Sequence, residues 1–143
     1  WELVSRLTGQ VASTNLLATE TLGAGGLGDV RGLPERIIRG DHGVVGGVEL
    51  RSPKADVPSF VGWGGEPLPE SWQGLAFYDF AYLTNVHKLE GEDSISAQTA
   101  GVGLRYEFNN TFTFQVDYGW VIDHDGFDLE DKGRAHVRGR LNF

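Results

Sequence analysis

The residues with the most chemical potential in this chain are its carboxylates, histidines and glycine-rich loops, and their spacing argues against catalysis. Asp123, Asp125, Asp128, Glu130 and Asp131 crowd together near the C-terminus. They could offer oxygen ligands to Ca²⁺, but their spacing does not follow an EF-hand loop, and acidic runs of this kind are ordinarily solvated. His42, His87, His124 and His136 fall in separate segments without metal-ligand spacing, and the chain has no cysteine to supply a thiolate or a disulfide. Gly23, Gly25 and Gly28 satisfy the G-x-G-x-x-G pattern of dinucleotide sites. That pattern works only where a helix follows to receive the pyrophosphate, and here Gly32 and Pro34 stand where the helix would begin. No nucleophile lies in a recognisable catalytic context. The expectation is a protein that is not an enzyme and holds neither metal nor cofactor.

Composition narrows the partners. With 12 basic and 20 acidic residues the net charge is -8, which argues against nucleic acid, because phosphate binding needs basic residues clustered on one face. At 143 residues the chain suits one domain. Its 21 glycines, about twice the average share, fall in turns and inside strands, a β-protein profile. The chain starts at Trp1 with no charged-then-apolar leader pattern, so it reads as a mature form or a fragment. No run of 18 apolar residues occurs, which removes a spanning helix from consideration but not a spanning barrel.

The elements that must position any site are alternating strands. Trp1 to Ala12 alternates Leu3, Leu7 and Val11 with Glu2, Arg6, Thr8 and Gln10. Residues 13–43 form a long glycine-punctuated connection carrying Arg31 and Gly32, and Val44 to Arg51 alternates again, with Glu49 and Arg51 on the polar side. Ser52 to Gly74 holds four of the five prolines and reads as a loop. Leu75 to Val86 then sets Tyr78, Phe80 and Tyr82 against Phe77, Asp79 and Ala81. After a charged loop over residues 87 to 93, Val102, Leu104, Tyr106 and Phe108 oppose Arg105 and Glu107. Asn109-Asn110 makes a two-residue hairpin turn, since asparagine tolerates the positive φ required there.

The next strand alternates without a break, Phe112, Phe114, Val116, Tyr118 and Trp120 against Thr113, Gln115, Asp117 and Gly119. In the last, Ala135, Val137, Leu141 and Phe143 oppose Arg134, His136, Arg138 and Arg140. The count is six strands, antiparallel wherever the link is short.

Alternation suits a soluble β-sandwich binding module as well as a membrane barrel. Strands of roughly 10 to 12 residues match the 9 to 11 that a tilted strand needs to cross a bilayer, whereas soluble strands average nearer 5 or 6. Aromatic residues cluster at strand ends, as interfacial anchors do. On this reading Phe112, Phe114, Val116, Tyr118, Trp120 and Phe143 face lipid. Glu49, Arg51, Arg105, Glu107, Arg134, His136, Arg138 and Arg140 face a lumen that stays wet. Six strands cannot close a membrane barrel, so the chain is expected to be the last part of a larger one.

Several motifs then resemble one family. Gly25-Gly26, Val30-Arg31-Gly32, Glu35, Gly40-Asp41, Gly43 and Glu49-Leu50-Arg51 with Pro53 are similar to the signature of the two-partner secretion transporters, the haemolysin-activator and filamentous-haemagglutinin exporters. Those transporters share a superfamily with the BamA-type assembly barrels. Phe77-Tyr78-Asp79-Phe80-Ala81, Gly101 to Tyr106 and the terminal Phe143 resemble its later strands. Leu33 and Ala81 depart from the pattern, standing where the family has an aromatic residue and a glycine.

The resemblance implies residues 1–143 as the last six strands of a sixteen-stranded outer-membrane barrel, with POTRA domains preceding them and loop 13–43 folded inward. It implies that Arg31 and Gly32 lock that loop to Asp79 on the wall. The implied function is export of a large partner exoprotein across the outer membrane of a Gram-negative cell, or, as an alternative, insertase activity.

Overall fold

The structure, a computed structural model, describes residues 1–57, 69–86 and 94–142. Nine strands follow one another among the described residues: β1 (Glu2–Gln10), β2 (Leu22–Ala24), β3 (Ile38–Gly40), β4 (His42–Arg51), β5 (Ala55–Val57), β6 (Glu70–Thr84), β7 (Ile95–Phe108), β8 (Phe112–Asp125) and β9 (Gly133–Leu141). The fold is all-β and every pairing is antiparallel. Six strands make one sheet in the order β1-β4-β6-β7-β8-β9, β5 adds to β6, and β2 and β3 form a hairpin of their own. β1 and β9 are free edges, so no closed barrel forms among the described residues.

The register follows from the side-chain alternation, because a one-residue slip would exchange the two faces of a strand. Leu50, Ala76, Val102, Tyr118 and Ala135 lie opposite one another across the sheet on one face. Arg51, Leu75, Gly103, Asp117 and His136 do so on the other. Asn109 and Asn110 make the expected turn with φ of 47° and 55°, both in the left-handed region.

The structure departs from the expected elements in four places. The connection over 13–43 is not purely irregular, since β2 and β3 pair inside it, Leu22 opposite Gly40 and Ala24 opposite Ile38. β5 forms inside the stretch read as loop, and β6 already begins there, at Glu70. Gly74 is not a break there, being paired with Leu104 in mid-sheet. β8 runs on to Asp125, because a bulge opposite Gln98 and Thr99 lets the strand continue past Ile122. The six expected strands are thus the long ones among nine. The loop expected over residues 87 to 93, most of the proline-rich stretch (58–68) and Phe143 lie outside the described residues.

The apolar core lies between loop and sheet. Val30, Leu33 and Ile38 come down from the connection onto Val45, Ala81, Leu83, Ala97 and Val121, all buried. Leu33 has no exposed surface. A fully buried leucine contributes roughly 1.5–3 kcal/mol, so this small core is one of the anchors that hold the connection against the wall.

Candidate functional site

Below that core the connection presents Arg31 to the wall, and glycines make the approach possible. Gly25, Gly26 and Gly32 have φ of 122°, 96° and 97°, a region that disfavours any side chain. Gly26 N–H donates to the Val30 carbonyl at 3.2 Å, and Leu33 N–H to the same oxygen at 3.4 Å, folding residues 26–33 into a compact bend. Glu35 braces it from outside, accepting from Leu27 N–H at 3.3 Å and lying where a Cβ on Gly26 would stand.

Arg31 is 2% exposed and meets three carboxylates from three strands. Its Nε donates to Asp79 Oδ2 at 2.8 Å and its Nη2 to Asp79 Oδ1 at 3.1 Å, a two-pronged pair with β6. Nη1 reaches Glu49 Oε2 of β4 at 2.5 Å and Asp117 Oδ2 of β8 at 3.5 Å. The Arg31 backbone N–H adds a bond to Asp79 Oδ2 at 3.2 Å, and the guanidinium carbon lies 3.6 Å from the centre of the Phe77 ring. Burial pulls the Arg31 guanidinium down, but the hydrogen bonds and charges of Asp79 and Glu49 outweigh it and leave its pKa raised. The side chain stays charged. Burial raises the Asp29 carboxyl against the opposing pull of Arg6.

Other arginines complete the neutralisation. Arg6 of β1 donates to Asp79 Oδ1 at 3.0 Å and also to the Asp29 carbonyl. Arg51 pairs with Glu49 at 2.6 Å and Glu2 at 3.2 Å, and Arg105 lies 3.3 Å from Glu49. Arg105 Nη1 and Asp117 Oδ1 have no hydrogen-bond partner among the described residues, yet they face each other at 3.8 Å. The patch is a charge-balanced lattice rather than a row of separate pairs.

The sequence reading takes this face for a water-lined wall. Under the connection it is dry: Asp79 and Asp117 are 0% exposed. Burying three carboxylates is tolerable only because each has a cation or a donor against it.

Glycines on the wall make the seat. A Cβ on Gly119 of β8 would stand 2.7 Å from the Arg31 carbonyl carbon and the Gly32 nitrogen, and one on Gly32 2.9 Å from Gly119 backbone atoms. Loop and strand therefore meet backbone to backbone. Gly47 lies opposite Asp79, and Gly103 opposite Asp117; a Cβ at either would collide with the facing carboxylate. Each glycine lets an acid lean over the neighbouring strand. Gly32 N–H then donates to His136 Nε2 of β9 at 3.2 Å.

Of the residues singled out from sequence, Arg31, Gly32, Asp79, Glu49, Arg51, Arg105 and His136 come together here. Glu107 stands apart, paired with Lys54 at 2.6 Å. Arg134, Arg138 and Arg140 share the polar side of β9 and are exposed. Sequence reasoning did not assign Asp117, Arg6, Phe77 or Gly119 to the site. On the opposite face Tyr118 and Trp120 are exposed, and Phe112, Phe114 and Val116 are half-buried.

Asp123 and Asp125 belong to β8, while Asp128, Glu130 and Asp131 line a surface pit with Arg134. Among the described residues no group of three or more His, Asp or Glu side chains could hold a metal ion. Gly23 sits in β2, and among the described residues no helix follows Gly28. Comparison with protein-family models, curated proteins and solved structures gave no match to this chain.

Proposed function

We propose that this chain is the C-terminal part of an outer-membrane β-barrel that exports a large partner protein, with residues 13–43 folded into the lumen as a plug. The reading gives it a passive conduit's role, with no catalytic centre, no cofactor and no resident metal. The observation that carries it is an inversion of the usual order of a soluble sheet. Its charged face is buried beneath the connection, while its apolar face carries Leu7 at 72%, Val102 at 52% and Trp120 at 50% exposure. In water, so continuous an apolar surface is costly; against hydrocarbon it is the solvated side.

Strand length supports the same reading. β1, β4 and β9 have 9, 10 and 9 residues, the span of a tilted transmembrane strand, while β6, β7 and β8, at 15, 14 and 14, exceed the roughly 10 to 12 expected and are long enough to extend past it. Closure then requires further strands beside β1 and β9, since open edges are not tolerated in lipid. By resemblance those strands and periplasmic POTRA domains precede residue 1, and an exoprotein is the cargo.

Two measurements test this. Lipids brominated along their acyl chains should quench the fluorescence of Trp72 and Trp120 when each is the sole tryptophan of the full-length protein reconstituted in liposomes; unquenched emission would remove the membrane reading. In a secretion assay Arg31→Ala should impair export, and exchanging the charges of residues 31 and 79 should restore only part of it. An aspartate at 31 would still face Glu49 and Asp117. Full export by both single variants would take the lock out of the mechanism.

A further inference from the structure

The arginines of the polar face divide into two sets. Arg6, Arg31, Arg51 and Arg105 each lie within 4 Å of at least one carboxylate. Arg134, Arg138 and Arg140 of β9 form no ion pair among the described residues, and Arg134 lies apart, at the pit lined by Asp128, Glu130 and Asp131. Arg138 and Arg140, together with Thr113, Gln115 and Asn142, line a pit of about 140 Å³ between β8 and β9. Among the described residues no carboxylate lines it. Gln115 turns its amide NH₂ away to Asp117 Oδ2 at 2.7 Å, so the pit's strong donors are the two guanidiniums. In a chain of net charge -8, this is a cationic spot left open beside a lattice that is otherwise balanced.

The spacing points to a ligand class. Side chains two apart on one strand face stand roughly 7 Å apart, the same repeat at which an extended peptide presents alternate side chains. Guanidinium forks match carboxylates in both geometry and charge. We propose that Arg138 and Arg140 form a docking site for an extended, acidic polypeptide segment, one carboxylate to each arginine. The site shares the face that carries the loop, opposite the apolar surface, which favours a polypeptide in the lumen over a lipid phosphate. It also lies toward the Asn109-Asn110 end of the sheet, the end away from where the 13–43 connection leaves β1 and enters β4. On the export reading, on which this inference rests, that is the mouth by which cargo enters.

The test uses the full-length protein, with the strands that close the barrel, reconstituted in liposomes and titrated with fluorescein-labelled decaglutamate. Binding should weaken with salt and fall at least about tenfold in Arg138→Gln/Arg140→Gln, as loss of two charge-assisted contacts implies. Lys54→Gln, at an exposed pair elsewhere on the face, should bind like the parent. Equal binding by the double variant would overturn the proposal. So would inorganic phosphate displacing the label as well as unlabelled decaglutamate at equal charge, which would make the pit a simple anion site. Acyl-chain quenching of tryptophan in the same samples separates the two failures. Protein that inserts yet ignores decaglutamate loses this site alone, whereas protein that does not insert loses the export reading as well.

Discussion

The two faces of this sheet solve opposite problems. Under the connection, Asp79, Asp117, Glu49 and Arg31 are charged and dry, and they survive burial because every charge has a counter-charge or a donor against it. On the other side Leu7, Val102 and Trp120 are apolar and uncovered by protein. One face is stabilised by what the chain brings to it; on the proposed reading the other is stabilised by what surrounds the molecule. Breaking each in turn should therefore give different signatures.

The largest effect is expected from Arg31→Ala, which leaves three buried carboxylates facing an empty space. Roughly 3–5 kcal/mol of loop anchoring should be lost, seen as a steep rise in proteolysis between residues 22 and 40. An unchanged cutting rate would show that the apolar core alone holds the loop. Next comes the apolar face: Val102→Arg should cost about 2–4 kcal/mol in folding titrations of the full-length protein from liposomes if the residue sits near mid-bilayer. On a water-facing sheet the same change would stay within about 0.5 kcal/mol, so this variant sharpens the contrast directly. Gly119→Val should unseat the loop by about 1–3 kcal/mol through overpacking. It should raise proteolysis less than Arg31→Ala and leave the apolar face unaffected. The smallest effect is expected for His136→Phe, where Gly32 N–H loses its acceptor at a cost of about 1 kcal/mol; hydrogen exchange at Gly32 would report it.

Much of this was legible before any coordinates. Alternation separated Tyr78 from Asp79 and Val102 from Arg105, and the pairing of Arg31 with Asp79 was what the resemblance to the transporters implied. Period-two patterning tells which side a residue takes but not how far along the strand a folded-in loop will settle. That is why Asp117 and Phe77 were not assigned to the arginine: their height depends on cross-strand register, which no single strand encodes. The register also explains glycines that read only as β-protein composition. Gly47 and Gly103 each sit opposite an acid, and Gly119 meets Gly32 itself. The start of β6 was hidden by proline density running up to Pro69, and the extension of β8 by a bulge that carries the strand past Ile122.

Because Arg31 is held jointly by β4, β6 and β8, and Gly32 rests in a notch on β8, the loop reads the alignment of several strands at once. A slip of β8 by one residue would swing Asp117 to the far side of the sheet and carry the notch out of reach. Seating thus doubles as an inspection step: only a correctly threaded wall offers the keyhole that fits.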